Sequence, residues 1–349
     1  MGVRDGASRL LLRTGALDAA LWLQARVGTP RLAVFTHHHV LDPSPGYPFD
    51  LAVADATPAQ FRRRLEAVAR RFNVIGVEEL CLALDGAPLP PNPALVTFDD
   101  GYRSCLEVAV PILRQVGLRA VFFVATSYVE ERRLYWWERI AWVVARARVR
   151  RLELTYPATQ TLDLGAPGAA EALTLIVKNT SGLDVERYLL QVAAAAGVEW
   201  DAGIERRLAD ELIMTWDQVR GLRDAGMDVE SHTRSHRVLQ TLAPGELADE
   251  LAGSRADLER ELGRKVRAIA YPVGRRVAHL PAIRAAIGAA GYQVGFSNVG
   301  GANLMGPGLD RFDLRRVAVD RGMSDAMLVG PLVWPRLAYP ARPPAAARR

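Results

Sequence analysis

The sequence predicts an α/β fold built on a parallel sheet or barrel, and three observations lead there. Short β-branched or apolar runs alternate with longer helical patterns over most of the 349 residues. Histidine, aspartate and Tyr-Pro clusters fall just after four of the predicted strands. Half of the residues are hydrophobic and 24% are charged, the balance of a chain that buries a core rather than of a fibrous or disordered one.

Taken in order, residues 1–30 read as a leading amphipathic helix. The first strand is Arg31 to Thr36, after which Thr57 and Pro58 provide the cap and first-turn residue of the helix "TPAQFRRRLEAVARRF". Strands follow at Ala94 to Phe98 and Ala120 to Val124. The rhythm then breaks over 127–211, where "LYWWERIAWVV", a strand-like "RLELTY" and a polar helical stretch read as an insertion after the third strand. Strands resume at Met227 to Ser231, Val266 to Tyr271, Tyr292 to Phe296 and Arg315 to Val319, and Gly263 ends the helix of "APGELADELAGSRADLERELG". This gives one domain over 31–320, with 321–349 as a Pro- and Arg-rich tail, mobile from Val333 on.

The net charge of +5 is carried almost wholly by arginine, since Lys178 and Lys265 are the only lysines among 44 basic residues. That excess fits compositional bias as well as it fits an anionic partner, and the densest run, "ARARVRR" from Ala145 to Arg151, reads as a solvated face ahead of a phosphate or membrane contact. No aromatic-interleaved basic motif points to nucleic acid. Cys81 and Cys105 lack the number and spacing of a disulfide framework or metal site. Arg13 and Asp18 interrupt the first apolar stretch, so the expectation is a cytoplasmic protein, with peripheral contact at the inner membrane face left open.

Three strand ends carry the chemistry. "ALVTFDDGY" ends in two carboxylates and a glycine, which alone fits a plain turn equally well. "DVESHTRSH" places His232 and His236 four apart, a spacing that suits one metal ion or two loop histidines. "AIAYPVG" ends in Tyr271, Pro272 and Gly274, again a site or a turn. In a parallel barrel these ends share one face, where active sites are built. Two histidines and one carboxylate make a metal site with open positions, and a second carboxylate beside it can serve as general base.

These residues resemble the polysaccharide deacetylases, carbohydrate esterase family 4, also called the NodB homology domain. The resemblance rests on "TFDDGY" (Thr97 to Tyr102), "SHTRSH" (Ser231 to His236) and "AYPVG" (Ala270 to Gly274), and covers roughly Leu32 to Asp320 outside the insertion. It implies a distorted barrel of about seven β/α units. It also implies a divalent metal held by Asp100, His232 and His236, with Asp99 as the catalytic base. In the implied reaction the metal polarises an acetyl carbonyl and a water, and Asp99 takes the proton of the attacking water. The oxyanion is then met by the metal and by the backbone N–H of Val273, beside Tyr271.

The chain departs from the family pattern in three places. Many members carry an arginine where Ala270 stands. "YPxG" forms resemble a subgroup without it, and Arg316 of "DLRRVAVD" is the candidate to orient Asp99 instead. Val273 replaces a common tyrosine, yet a backbone donor survives any side-chain change. The family's late catalytic-acid histidine has no counterpart, since no histidine follows His279, itself read as a surface residue. A permuted subgroup carries it after the first strand in a context like "YHxV". The "HHHV" here therefore aligns His38 with the acid, a choice made by resemblance, because strand alternation only separates His38 from His37 and His39.

The expected function is a metal-dependent hydrolase removing the acetyl group from an N-acetylated amino sugar, with zinc ahead of cobalt, nickel or iron as cofactor. The sugar substrate is the only partner expected. A catalytically silent carbohydrate-binding relative is the competing reading, against which stands the presence of both the base and all three ligands. Trp136 and Trp137 offer a sugar-stacking platform or, more plainly, packing anchors for the insertion.

Overall fold

The structure, a computed structural model, describes residues 3–26 and 30–333. Its centre is a nine-stranded sheet of β1 (Arg31–His37), β2 (Asn73–Val74), β3 (Pro93–Phe98), β4 (Val121–Val124), β5 (Asp228–Ser231), β6 (Ala268–Ala270), β7 (Val294–Phe296), β8 (Asn303–Leu304) and β9 (Val317–Ala318). The order is β7-β6-β5-β4-β3-β1-β8, with β2 on β3 and β9 on β1. Every pairing is parallel except that of β8 with β1.

The sheet curls into a half-barrel, and one short segment spans its two edges. Leu314 bridges Phe296 of β7, and three residues later Val317 pairs with Phe35 of β1. Each of the seven strands read from the sequence has its counterpart here. Strands β2 and β8 escaped notice because two residues show no periodicity.

Period-2 alternation divides the core. Leu32, Val34, Leu95, Val121, Phe123, Ala268, Ala270, Val294 and Phe296 fill the inside of the curl. Ala33, Phe35, Val96, Phe98, Phe122, Val124 and Val229 face the helical layer. Both faces are buried, which is why the strands read as nearly continuous apolar runs. Continuing the inner rows past the strand ends reaches His38, Asp99 and His232. The ladder runs on at two of these ends, with Asp99 N–H donating to the His37 carbonyl at 2.8 Å and His232 N–H to that of Val124 at 3.0 Å.

Helix Pro58–Ala69 starts in a capping box, with the Thr57 and Gln60 side chains each accepting the other's backbone N–H. The insertion contributes five helices, from Thr126–Glu131 to Ala202–Leu212, and the hairpin of Arg151–Leu154 and Gln160–Asp163. Its Leu152, Leu173 and Tyr188 join the same core as the helical layer, so it is built onto the barrel.

Two expectations for the chain ends need correction. Residues 1–30 do not form one helix: Val3–Arg13 and Ala16–Gln24 are separated at Gly15, whose φ of 73° no helix accommodates. The range 321–349 is not a tail throughout. "DAMLVGPLV" forms helix Asp325–Val333, which buries Ala326, Met327, Leu328 and Val329 and receives the Ser8 hydroxyl on the Met327 sulfur. Its apolar composition gives it a reason to pack, whereas the mobility expected beyond Val333 concerns residues outside those described.

Elsewhere, residues Ala145, Arg146 and Arg148 to Arg151 of the basic run are exposed, and Cys81 and Cys105 are buried free thiols. Among the described residues no helix is long and apolar enough to cross a membrane.

Candidate active site

Asp100, His232 and His236 are brought together at the C-terminal ends of β3 and β5, and their ligand atoms lie within 4.8 Å of one another. Asp100 Oδ1 is 3.3 Å from His232 Nε2 and 3.4 Å from His236 Nε2. His232 Nδ1 donates to the Ala270 carbonyl at 2.8 Å, which turns Nε2 toward the carboxylate. Burial, with His232 beside it, holds His236 neutral by pushing its pKa down to about 3. Asp100 Oδ1 is buried without a hydrogen-bond donor.

Converging lone pairs of this kind repel unless a cation lies among them. Metal bonds of about 2.1 Å at tetrahedral angles would separate ligand atoms by about 3.4 Å, close to the separations found. The donor set therefore fits a divalent ion, one carboxylate and two imidazoles leaving positions free.

The backbone is held in rarely populated conformations where these residues sit. Asp100, Thr233, His236 and Val273 all have positive φ, between 54° and 74°, and among the other described non-glycine residues only Asn92, at 44°, and Arg132, at 53°, also have a positive φ. Each such residue costs about 1–3 kcal/mol, so surrounding contacts must hold it. Tyr135 hydroxyl donates to the Asp100 carbonyl at 3.0 Å, and Glu250 accepts the N–H groups of Arg234 and Ser235, each at 2.9 Å. Gly101 has a φ of 105°, which side-chain-bearing residues rarely adopt, and a Cβ there would stand a tight 3.3 Å from the Val124 methyl.

Asp99 lies beside the triad and is gripped from the far edge of the barrel. Arg316, fully buried between the Leu314 bridge and β9, donates Nη1 to Asp99 Oδ1 at 2.7 Å and Nη2 to Oδ2 at 2.8 Å. Burial alone would raise the Asp99 pKa, but Arg316, helped by His232 and His38, outweighs it and brings the group down to about 2. The same Oδ2 is 4.0 Å from His38 Nε2 and 3.9 Å from His232 Nε2.

The three adjacent histidines meet different fates. His37 is buried in the helical layer against Phe61 and Phe98, with burial lowering its pKa to about 3. His39 is also buried, stacked on Tyr102 at 4.6 Å and bonded through Nδ1 to the Ser104 hydroxyl. His38 alone keeps access to solvent, with 22% of its side chain exposed. Its Nδ1 is 3.0 Å from Asp55 Oδ2, and the same oxygen accepts its backbone N–H. Burial opposes a charge on His38, yet Asp55, then Asp100 and Asp99, raise its pKa to about 10.

Asp55 was not singled out in the sequence. A buried carboxylate seventeen residues from its histidine has no local signature; the short parallel pairing of His39–Val40 with Ala54–Ala56 brings it there.

In the third motif Val273 has a left-handed backbone, φ 60° and ψ 3°, three residues beyond the carbonyl that holds His232. Tyr271 is not brought to the rim. It is fully buried in the outer layer, and its hydroxyl donates to the Phe312 carbonyl at 2.7 Å, because the inward register at this strand end belongs to Ala268 and Ala270. Trp136 and Trp137 are buried anchors: the indole of Trp136 donates to the His236 carbonyl at 3.4 Å, and Trp137 packs 4.4 Å from the His236 ring. His279 is exposed and is not part of the Asp100, His232 and His236 cluster.

Parallel strands that end in carboxylate and imidazole groups on one rim place this site in a protein of the α/β half-barrel class. The chain belongs to the polysaccharide deacetylase family, whose model matches residues 86–295. It is 32% identical over 111 residues to YxkH of Bacillus subtilis (strain 168), assigned as a polysaccharide deacetylase; the match covers 32% of this chain and 38% of that relative's length. Among solved structures it is similar to the deacetylase PplD of Streptococcus pyogenes in complex with acetate, with TM-score 0.56, 18% identity, and 86% of this chain and 98% of that one covered. IcaB of Ammonifex degensii gives TM-score 0.51 and 21% identity over 84% and 93% of the two chains. These structures share the fold. His38, Asp55 and Arg316 lie outside the residues that the family model matches.

Proposed function

We propose that the protein removes the acetyl group from an N-acetylated amino sugar in a reaction that depends on a divalent metal, zinc first among the metals that suit its ligands. The observation that carries this reading is the placement of Asp99 Oδ2 between two imidazoles, His232 at 3.9 Å and His38 at 4.0 Å, with Arg316 fixing its orientation. In it, Asp100, His232 and His236 hold the metal, which when bound supplies Lewis-acid polarisation of the acetyl carbonyl and of water.

The remaining work falls to this chain's own side chains. Asp99, ionised across the neutral range, accepts the proton of the attacking water at Oδ2, while Arg316 keeps that oxygen aimed. The Val273 N–H donates to the oxygen of the acetyl group as charge develops there. An amine leaves an amide poorly unless protonated, so His38 gives its Nε2 proton to the departing nitrogen while Asp55 holds Nδ1 and favours the charged ring. A bound dication would offset part of the attraction from Asp99 and Asp100 and draw the His38 pKa back toward neutrality.

The test is acetate release from a panel of N-acetylated amino sugars, with and without chelator. Chelator-sensitive release supports the reading. Undiminished release after full metal removal refutes metal dependence, and sugar binding without any release leaves the silent carbohydrate-binding relative in its place.

A further inference from the structure

We propose that Lys178 and Arg275 form a phosphate-binding subsite at the rim of the active site, so that the substrate is an N-acetylated amino sugar carried on a phosphate or diphosphate. This inference rests on the deacetylase reading for the sugar half of the substrate. Lys178 lies in the insertion helix Ala169–Asn179, and Arg275 follows Val273 by two residues. The two meet through Asn179, whose side-chain oxygen accepts from Arg275 Nη2. Lys178 Nζ is 6.0 Å from the ring of Trp136, the residue that donates to the His236 carbonyl. The pair thus adjoins both the turn that presents the Val273 N–H and the loop that carries His236.

Both cations are half-buried, and among the described residues no carboxylate oxygen lies within 4.0 Å of either. Their neighbours differ in this respect: Arg276 is paired with Asp313, and Arg237 with Glu246 at 2.6 Å. Burial lowers the pKa of Lys178, an effect that Asp50 and Glu171 oppose only from a distance, and burial lowers that of Arg275 as well. Arg275 adds to the lowering of the Lys178 pKa, so the two like charges feel each other, and partly out of water they are unfavourable until an anion joins them. A guanidinium and an ammonium together match the non-bridging oxygens of phosphate. Nucleotide-linked and polyprenyl-linked sugars share that chemistry.

The experiment compares kcat/KM of the metal-loaded protein and its Lys178→Met/Arg275→Met variant on three substrates. These are the methyl glycoside of N-acetylglucosamine, uridine diphosphate N-acetylglucosamine, and a short-chain prenyl diphosphate N-acetylglucosamine in detergent. Inorganic diphosphate binding is measured on both proteins by calorimetry. At about tenfold per cation, the preference for a diphosphate substrate should fall about a hundredfold in the variant, mainly through KM. The substrate with the larger preference then tells the nucleotide source from the lipid.

A native protein without preference for either diphosphate substrate, or a variant that keeps it, overturns the subsite and leaves the deacetylase reading intact. If no substrate releases acetate, the deacetylase reading fails and the binding measurement decides alone. Diphosphate binding weakened in the variant sustains the subsite, whereas equal binding by both proteins, as expected of diphosphate held only at the metal, removes it.

Discussion

Replacing Arg316 by methionine removes both hydrogen bonds to Asp99 and leaves that carboxylate 2% exposed with no cation gripping it. The group stands near pKa 2 against an ordinary 3.8, a depression of about two units that corresponds to about 2–3 kcal/mol. His232 and His38 provide part of it, but removing one partner of a buried pair adds the desolvation of the other, for a total of about 3–5 kcal/mol. The sign follows from the direction of the shift. A carboxylate with a depressed folded-state pKa contributes stability above its unfolded value, near 4, and loses it as the pH falls through about 2. Urea unfolding of chelator-treated protein should therefore show native and Arg316→Met proteins furthest apart at pH 7 and converging between pH 4 and pH 2. A difference below about 1 kcal/mol at pH 7, or one that does not change with pH, refutes the argument. In turnover, Arg316→Met should lower kcat with KM little changed, since Arg316 reaches the reaction only through Asp99.

Three further outcomes are expected. His232→Ala protein should lose stoichiometric metal by elemental analysis, and full retention would exclude His232 as a ligand. Asp99→Asn should keep its metal and lose about a hundredfold to ten-thousandfold in turnover; loss of both together would exchange the roles of Asp99 and Asp100. Of the alanine variants at the triplet, His38→Ala alone should show a similar loss in turnover with metal retained. His37→Ala, which vacates a packed site between Phe61 and Phe98, should instead lose about 1–3 kcal/mol in thermal or urea unfolding. A catalytic defect confined to His37→Ala or His39→Ala would move the acid to another residue.

The chain by itself determined the alternation of strands and helices, the place of the insertion and the three motifs. These are local signals: a strand buried on both faces must be apolar along its length, and a turn at a strand end must tolerate the conformations that Asp100 and Val273 adopt. It left undecided which neighbour of His37, His38 and His39 meets the site, because period 2 sets the parity of a row and not its direction. Tertiary structure decided that when Leu32 and Val34 turned inward, carrying His38 with them and leaving His37 to the helices. It also overrode two local readings, drawing the last apolar helix into the core and turning Tyr271 away from the rim. Asp55 beside His38 and Arg316 across Asp99 belong wholly to this level. The first depends on a strand pairing two or three residues long, and the second on the segment that joins the two edges of the curled sheet across more than two hundred positions of sequence. Contacts between distant residues are fixed by closure of the whole sheet, and a single sequence carries no local trace of which residues that closure will bring face to face.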